Sequence, residues 1–344
     1  MAASSDEKPD VFHADMKKAN VGALWERYTR HDDDAPRSEP AFQWPWAEVE
    51  PLIDQAVRET GMDTAERRVI QMKNPAFPAD AVCATNNINC GFQILMPGER
   101  ARPHRHTMNA LRFVVEDGGG VVETIVDGKH CPMSPGDMIV TPAWTWHEHL
   151  HDGTSRVIWL DALDVPIVDH LGAAFFEPGG GNDYPDMLPD SAFTSAGFAP
   201  GRVPAGGHSP LFHYSWEASV EALQGMKQAK DGSRQVRYIN PATGGPIMSL
   251  LDCYLLGLDR SRETAPYRTS SNAACFVAEG DGVSTVGDTT INWGKNDVFS
   301  LPHWQWVAHK ASSATAKLFV MTDREVYRRL ELLWDEGDGA GGFH

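Results

Sequence analysis

Two histidines one residue apart, His104 and His106, precede a second cluster, Trp146-His147-Glu148-His149. The first pair falls in Gly98-x5-His104-x-His106, the second in Pro135-Gly136-Asp137-x4-Pro142-x4-His147. Both stretches read as β-strands, on which residues two apart share a face, so His104 and His106 can close on one point. A third imidazole, His147 from a neighbouring strand, would complete one face of a metal ion. Three protein ligands leave positions open for substrate and oxygen, as a catalytic iron site requires. A His-x-His pair alone is usually a surface feature or a satisfied core group. Here the Gly, the Pro and the third His all stand at their expected offsets, which favours the metal reading.

This two-part spacing resembles the motif of the cupin superfamily, with one departure. The usual pattern carries a Glu four or five residues after the second His, and here those positions are Ala110 and Leu111. The expected ligand set is therefore three neutral imidazoles and no carboxylate. A divalent metal in it keeps its full charge until an anion arrives, which suits a substrate binding through a carboxylate and an ortho hydroxyl together.

The elements that must position these groups can be read along the chain. Residues 1–60 are expected to be a tail, disordered over 1–10, followed by helices. Val21, Leu24, Trp25 and Tyr28 form one helical stripe, and Val49, Leu52, Ile53 and Val57 form another between Trp46 and Thr60. From 61 to 170 short apolar or alternating runs are separated by Gly, Pro and Asp, as in an all-β barrel. Residues 171–247 read as an irregular linker with a short helix from Trp216 to Lys227. A second strand-rich block spans 248–330, and 331–344 reads as a C-terminal tail. The second block is an internal echo of the first. Tyr267-Arg268-Thr269 matches His104-Arg105-His106, and Pro302-His303-Trp304-Gln305-Trp306 matches Pro142-Ala143-Trp144-Thr145-Trp146. His104 falls on Tyr267, His106 on Thr269 and His147 on Val307, so the copy is expected to keep the fold and bind no metal. His303 and His309 are nearby and read as out of register. The fold class is all-β dominated: two double-stranded β-helix barrels, a bicupin, with N-terminal helices.

Composition narrows the partners. A net charge of −17 argues against nucleic acid or an anionic membrane surface. It leaves a small anionic substrate open, since local charge decides binding. No stretch is apolar for long enough to span a bilayer. Cys83, Cys90, Cys131, Cys253 and Cys275 are odd in number and scattered, unlike a disulfide framework or a zinc ribbon. The first residues lack the apolar core of a signal peptide, and the cytoplasm is the expected location.

Beyond the cupin motif the chain resembles the gentisate and salicylate 1,2-dioxygenases, bicupin ring-cleaving enzymes of aromatic catabolism. The matching stretches include Ala65-Glu66-Arg67-Arg68-Val69, Asn74-Pro75, His104-Arg105-His106-Thr107, Ala110-Leu111-Arg112-Phe113, Trp159-Leu160-Asp161, Ser209-Pro210-Leu211 and Glu279-Gly280-Asp281-Gly282, spread from about residue 20 to 325. The resemblance implies Fe(II) as cofactor and O2 as co-substrate. It also implies a small aromatic carboxylate as substrate and a homotetrameric assembly. Cleavage would fall between the carboxyl- and hydroxyl-bearing carbons of a 2-hydroxybenzoate. Gentisate, giving maleylpyruvate, comes first, ahead of salicylate, its 5-substituted forms and 1-hydroxy-2-naphthoate.

The implied iron ligands are His104, His106 and His147. His149 shares the strand face of His147 and is implied to contact substrate or oxygen, with an orienting imidazole as the plainer reading. Arg112 is expected beside the metal, pairing with carboxylate or phenolate through its planar fork. The resemblance places a carboxylate-binding arginine in the Arg67-Arg68 segment. Arg68 is the first choice and Arg67, on the opposite face, the alternative. Gly91 and Gln93 can line the pocket, and Asp161 can orient a ligand or an arginine. Asn86, Asn87 and Asn89 make the approach to that strand unusually polar, either for a ring substituent or simply for a turn. His151 reads as an exposed loop residue. A metal-dependent isomerase and a cupin sensor are rival readings, though a sensor is expected to lose ligands in both halves and only the second half does.

Overall fold

The computed structural model describes residues 11–27, 39–180, 184–194, 200–201, 207–260 and 262–337. The expected disordered tail, residues 1–10, and Tyr28 of the first stripe lie outside them. The chain divides into a unit of residues 1–37 and a unit of residues 38–344. The first unit contains two short helices, Val11–Lys18 and Leu24–Arg27. The stripe expected over 20–30 is thus broken: Asn20 adopts φ 54°, a left-handed residue that closes the earlier helix.

The second unit is built from two β-barrels, each a six-stranded sheet facing a five-stranded one. In the first barrel the six-stranded sheet runs in the order 213–214, 138–141, 110–117, 157–163, 89–95, 68–71, and the five-stranded sheet in the order 176–178, 100–106, 147–151, 122–126, 129–132. The second barrel repeats both orders with 43–44, 298–301, 273–279, 315–322, 252–259, 234–237 and with 289–293, 282–286, 307–311, 267–269, 335–337. The bicupin expectation is met.

Burial explains the two strand textures. Every residue of Asn89–Leu95 is buried, because that sheet is covered on both faces. One face lines the barrel and the other meets the second barrel, where Phe113 packs 5.2 Å from Phe276 and 4.5 Å from Phe319 between ring centroids. In His147–His151 the alternation survives, with His147, His149 and His151 buried. The two-residue turn Asp127-Gly128, at φ 44° and 80°, joins 122–126 to 129–132 with Val126 opposite Lys129, the left-handed conformation that tight hairpins use.

The barrels are laced together by short strands. Gln43–Trp44, ahead of the first barrel, pairs with Val298 and Phe299 of the second. His213–Tyr214, between the barrels, pairs with Met138 and Ile139 of the first. Within the stretch expected as a linker, Phe176–Pro178 and Arg234–Arg237 are also strands, and Asp335–Gly337 of the expected tail pairs with Tyr267–Thr269. The helix expected from Trp216 ends at Gly225 and is capped by the Ser215 side chain accepting from the Ala218 amide. The Trp46–Glu59 helix buries Val49 and Ile53, while Leu52 of its stripe is exposed. Among the described residues no helix is long and apolar enough to cross a membrane.

Phe113 sits at the centre of the seam, so Phe113→Ala is expected to cost about 3–5 kcal/mol of stability, the range for truncating a buried aromatic. Denaturant unfolding would measure it. A loss below about 1 kcal/mol would mean the seam contributes little.

Candidate functional site

His104 and His106 lie on 100–106 and His147 on 147–151, and pairing of the two strands sets His104 opposite His147. One ligand atom from each of the three comes within 4.8 Å of the others. All three are buried. Each fixes its ring in the same way, with Nδ1 hydrogen-bonded to a backbone carbonyl two residues away: Arg102 for His104 at 2.9 Å, Met108 for His106 at 2.8 Å and Thr145 for His147 at 3.0 Å. A carbonyl only accepts, so Nδ1 carries the proton and Nε2 keeps its lone pair for a metal. His147 Nε2 is buried without a hydrogen-bond partner. Burial holds His104 down to about 3 and His106 to about 4, and His147 well below its ordinary value, with nearby cations adding to the effect. The rings are neutral, as ligands must be.

Behind this strand Arg105 stacks between Trp144 and Trp146, 4.4 and 4.5 Å from their ring centroids, and donates to Glu177. Arg268 repeats the arrangement with Trp304, Trp306 and Glu336. The recurring Trp-x-Trp therefore clamps the outer face of the strand whose counterpart in the first barrel carries the ligands.

The remaining expected residues gather around the triad with one exception. His149 points inward; its Nδ1 lies 2.9 Å from the Thr124 hydroxyl, and its Nε2 is buried and unpartnered. Arg112 donates to Thr141 at 2.6 Å and lies 3.1 Å from Asp161, without the alignment of a hydrogen bond. Asp161 also accepts from the Trp159 indole at 3.1 Å. Burial pushes its carboxyl up to about 6, against the pull of Arg112, Trp159 and Arg67. Strand register puts Gly91 across from Asp161 and Gln93 across from Trp159, on the same inward face. Gln93 Nε2 is buried and unpartnered. A Cβ on Gly91 would lie 2.8 Å from Val69 Cγ1, so a glycine is needed here for the close approach of the neighbouring strand.

The exception is Arg68. It pairs across the sheet with Ile94, on the outward face, and its guanidinium is spent on Glu99 at 2.9 Å twice over and on the Thr60 carbonyl. Arg67 takes the inward direction. Its guanidinium lies 5.0 Å from the Phe176 ring centroid, and its Nε and Nη2 are buried without partners. Arg112 and Asp161 are close enough to perturb its charge. The cause is local: Glu66, at φ 53°, ends the Met62–Ala65 helix and sets which of the two arginines enters the strand facing in.

Phe176 was not anticipated. It lies opposite His106 and stacks on His104, ring centroids 5.4 Å apart at 23°. Only its aromatic type in an irregular stretch could have marked it. His151, expected on an exposed loop, is buried and bonds to Ser155 O and the Gly153 amide.

The second barrel is an internal control. Tyr267 pairs with Val307 where His104 pairs with His147. His309 lies across from Ser284, as His149 lies across from Thr124, so it stands outside the three ligand positions, and its Nδ1 meets the Ser284 hydroxyl at 2.7 Å. Cys275 and Val320 stand where Arg112 and Asp161 form their ion pair, and Tyr254 fills the place of Gly91. The ligand imidazoles and the ion pair are both replaced in this barrel.

Residues 91–163 match the cupin domain family. A gentisate 1,2-dioxygenase of Aquipseudomonas alcaligenes is 33% identical over 95% of this chain and 97% of its own length. A 5-aminosalicylate 1,2-dioxygenase of Comamonas is 32% identical over 97% and 92%. The structure of a salicylate 1,2-dioxygenase from Pseudoaminobacter salicylatoxidans, an adduct with gentisate, superposes with a TM-score of 0.87 at 26% identity, covering 98% of this chain and 97% of that one.

The neutral triad makes acid a solvent for unfolding. An unfolded imidazole takes up its proton near pH 6.5, whereas His104 and His106 in the fold refuse it until about 3 and about 4. Their stability is complete above 6.5 and is lost as pH falls through the window below it. At pH 5 each site costs about 2 kcal/mol. Metal-free protein should therefore melt well below its neutral-pH temperature at pH 5, and scanning calorimetry of wild type against a His104→Gln, His106→Gln variant checks it. An equal acid slope in both proteins would remove these two histidines as the cause.

Proposed function

The chain belongs to the gentisate and salicylate 1,2-dioxygenase family of bicupin ring-cleaving enzymes, and on that premise we propose that it opens the ring of a 2-hydroxybenzoate between the carboxyl- and hydroxyl-bearing carbons. Gentisate is the first substrate, and both atoms of O2 enter the product, maleylpyruvate. The observation that carries this reading is the set of buried polar atoms without hydrogen-bond partners on Arg67, Gln93, His147 and His149, gathered with the Arg112–Asp161 ion pair at the three neutral imidazoles. Native interiors satisfy such groups, so a cluster of orphans marks a polar ligand's place.

The donor set fits a divalent metal, with His104, His106 and His147 as its ligands and no carboxylate to offset its charge. Fe(II), when bound there, supplies the redox chemistry that lets dioxygen react with the ring. The protein's own groups do the positioning. The forked guanidinium of Arg112, held by Asp161 and Thr141, meets the substrate carboxylate or phenolate, and Arg67 provides a second cation. Two cations against one aspartate leave local positive charge for an anionic substrate inside a chain of net charge −17. With Thr124 donating to Nδ1, His149 presents a proton on Nε2 toward charge developing on oxygen. Gln93 faces a ring substituent, and Phe176 closes the site over His104. Arg68 has no part in substrate binding here. We read the enzyme as cytoplasmic, which its five unpaired cysteines support, and as a homotetramer.

Salicylate, its 5-substituted forms and 1-hydroxy-2-naphthoate are the alternative substrates for the same cleavage. Oxygen-electrode traces on anaerobically Fe(II)-loaded protein, with ultraviolet absorbance of the ring-opened product, separate them. Gentisate should give the fastest uptake. No uptake with any of these acids on iron-loaded protein would sink the dioxygenase reading.

The two neighbouring arginines make a sharper test. Arg112→Met and Arg67→Met are each expected to lower kcat/KM about 10²- to 10³-fold, the scale of a lost charge-assisted contact in a buried site. Arg68→Met should leave kcat within about two-fold and lower thermal stability instead, through the stranded Glu99. A collapse of kcat in Arg68→Met with Arg67→Met unaffected would restore the opposite assignment.

A further inference from the structure

Asp323 follows the last long strand of the metal-free barrel and is fully buried. Its Oδ1 accepts from the Asn272 amide and its Oδ2 from the Asn272 side chain, both at 2.7 Å. Asp164 makes the same clasp in the first barrel, accepting from the Asn109 amide at 2.8 Å and side chain at 2.6 Å. The clasps are not self-contained. Asn109 Nδ2 reaches across to Ser249 at 3.2 Å, ahead of the second barrel. Asp323 Oδ2 receives a donor from the first barrel, Asn87 Nδ2, at 2.9 Å.

Asn87 stands in the turn that launches the pocket strand. That turn is closed by the Ala84 and Thr85 amides donating to Ile88 O. Two residues on, Asn89 is buried on the inward face with Gly91 and Gln93, tied to Val82 O at 2.6 Å. The start of this strand is fixed by Ile88 in the core, by the Asn86 amide donating to Glu39, by Asn89 to Val82, and by Asn87 to the other barrel. Only the last crosses between the halves.

We propose that the metal-free barrel sets the specificity of the metal-bearing one: Asp323, through Asn87, positions the turn at 84–88 and with it Asn89 and Gln93, the polar side chains that meet the ring substituent. Asn87 is a positioning residue, remote from the reacting atoms. Asp323 keeps both bonds to Asn272 when Asn87→Ala removes only the donor from the first barrel. The inference rests on the 2-hydroxybenzoate reading of the site for its substrate half and on geometry alone for its mechanical half.

The test uses full-length, Fe(II)-loaded protein under anaerobic conditions as wild type, Asn87→Ala and Asn87→Asp, the last placing a like charge beside Asp323. In Asn87→Ala, amide hydrogen exchange is expected to quicken about five-fold or more over residues 84–93, with the rest of both barrels unchanged. Calorimetric titration with gentisate and salicylate should show the preference between them shrinking by about three-fold or more, at unchanged iron content. Asn87→Asp should move both readouts further in the same direction. Unchanged exchange over 84–93, or both acids weakening by the same factor, would overturn the proposal in favour of a plain structural contact. If wild type binds neither acid, the substrate reading fails, and the exchange pattern still decides whether Asp323 governs the turn.

Discussion

An imidazole binds a metal only when neutral and offers it one nitrogen at a time. His104, His106 and His147 meet both conditions by spending Nδ1 on a carbonyl within two residues. That local device works only if the strands stay in register, since a slip by one residue turns each ring to the opposite face. The Trp-stacked Arg105, the pairing of His104 with His147, and the covering strand Phe176–Pro178 all hold that register. The arrangement also explains why the barrel tolerates so much buried, unsatisfied polarity. An interior built to receive an anion must leave donors unpaired until the anion comes, and the surrounding hydrophobic seam carries the stability cost.

The second barrel shows what the same topology does without that demand. Tyr254, Tyr267, Cys275 and Val320 belong to one apolar core at the positions where the first barrel keeps Gly91, His104 and its buried ion pair. Replacing a buried ion pair by packed apolar groups is often stabilising. The loss of Arg112 and Asp161 in the copy is what relaxation of a functional constraint predicts. His309 keeps its Nδ1 on the Ser284 hydroxyl, itself held by the Trp293 indole, while its Nε2 is buried without a hydrogen-bond partner.

Much of this was readable beforehand because strand alternation is a rigid rule. Spacing of two located His104 with His106 and His147 with His149, and the internal echo located the second barrel, with Tyr267 and Val307 at the His104 and His147 positions. Arg112 was placed by an even offset from His106, and Asp161 by the Trp159-Leu160-Asp161 stretch shared with the family. Where the reading failed, a single residue or a non-local contact decided. Arg67 displaced Arg68 because Glu66 takes a left-handed conformation, which nothing in a non-glycine residue advertises. His151 looked exposed because its partners, Gly153 and Ser155, lie in the turn beyond the strand. Strands of two or three residues, such as Gln43–Trp44 and His213–Tyr214, carry no periodicity and exist only through their partners.

Those two short strands also bear on the integrity of the molecule. Gln43–Trp44 finishes the sheet of the later barrel, and His213–Tyr214 finishes that of the earlier one. The two barrels form a reciprocal graft, each sheet finished by a strand from outside its own run of sequence. Cutting the gene anywhere between them would release two pieces that each expose a raw, hydrogen-bonding sheet edge, a known route to aggregation. Each barrel thus depends on the other for a finished edge, which gives a reason for the second barrel to stay in the chain whatever its own chemistry.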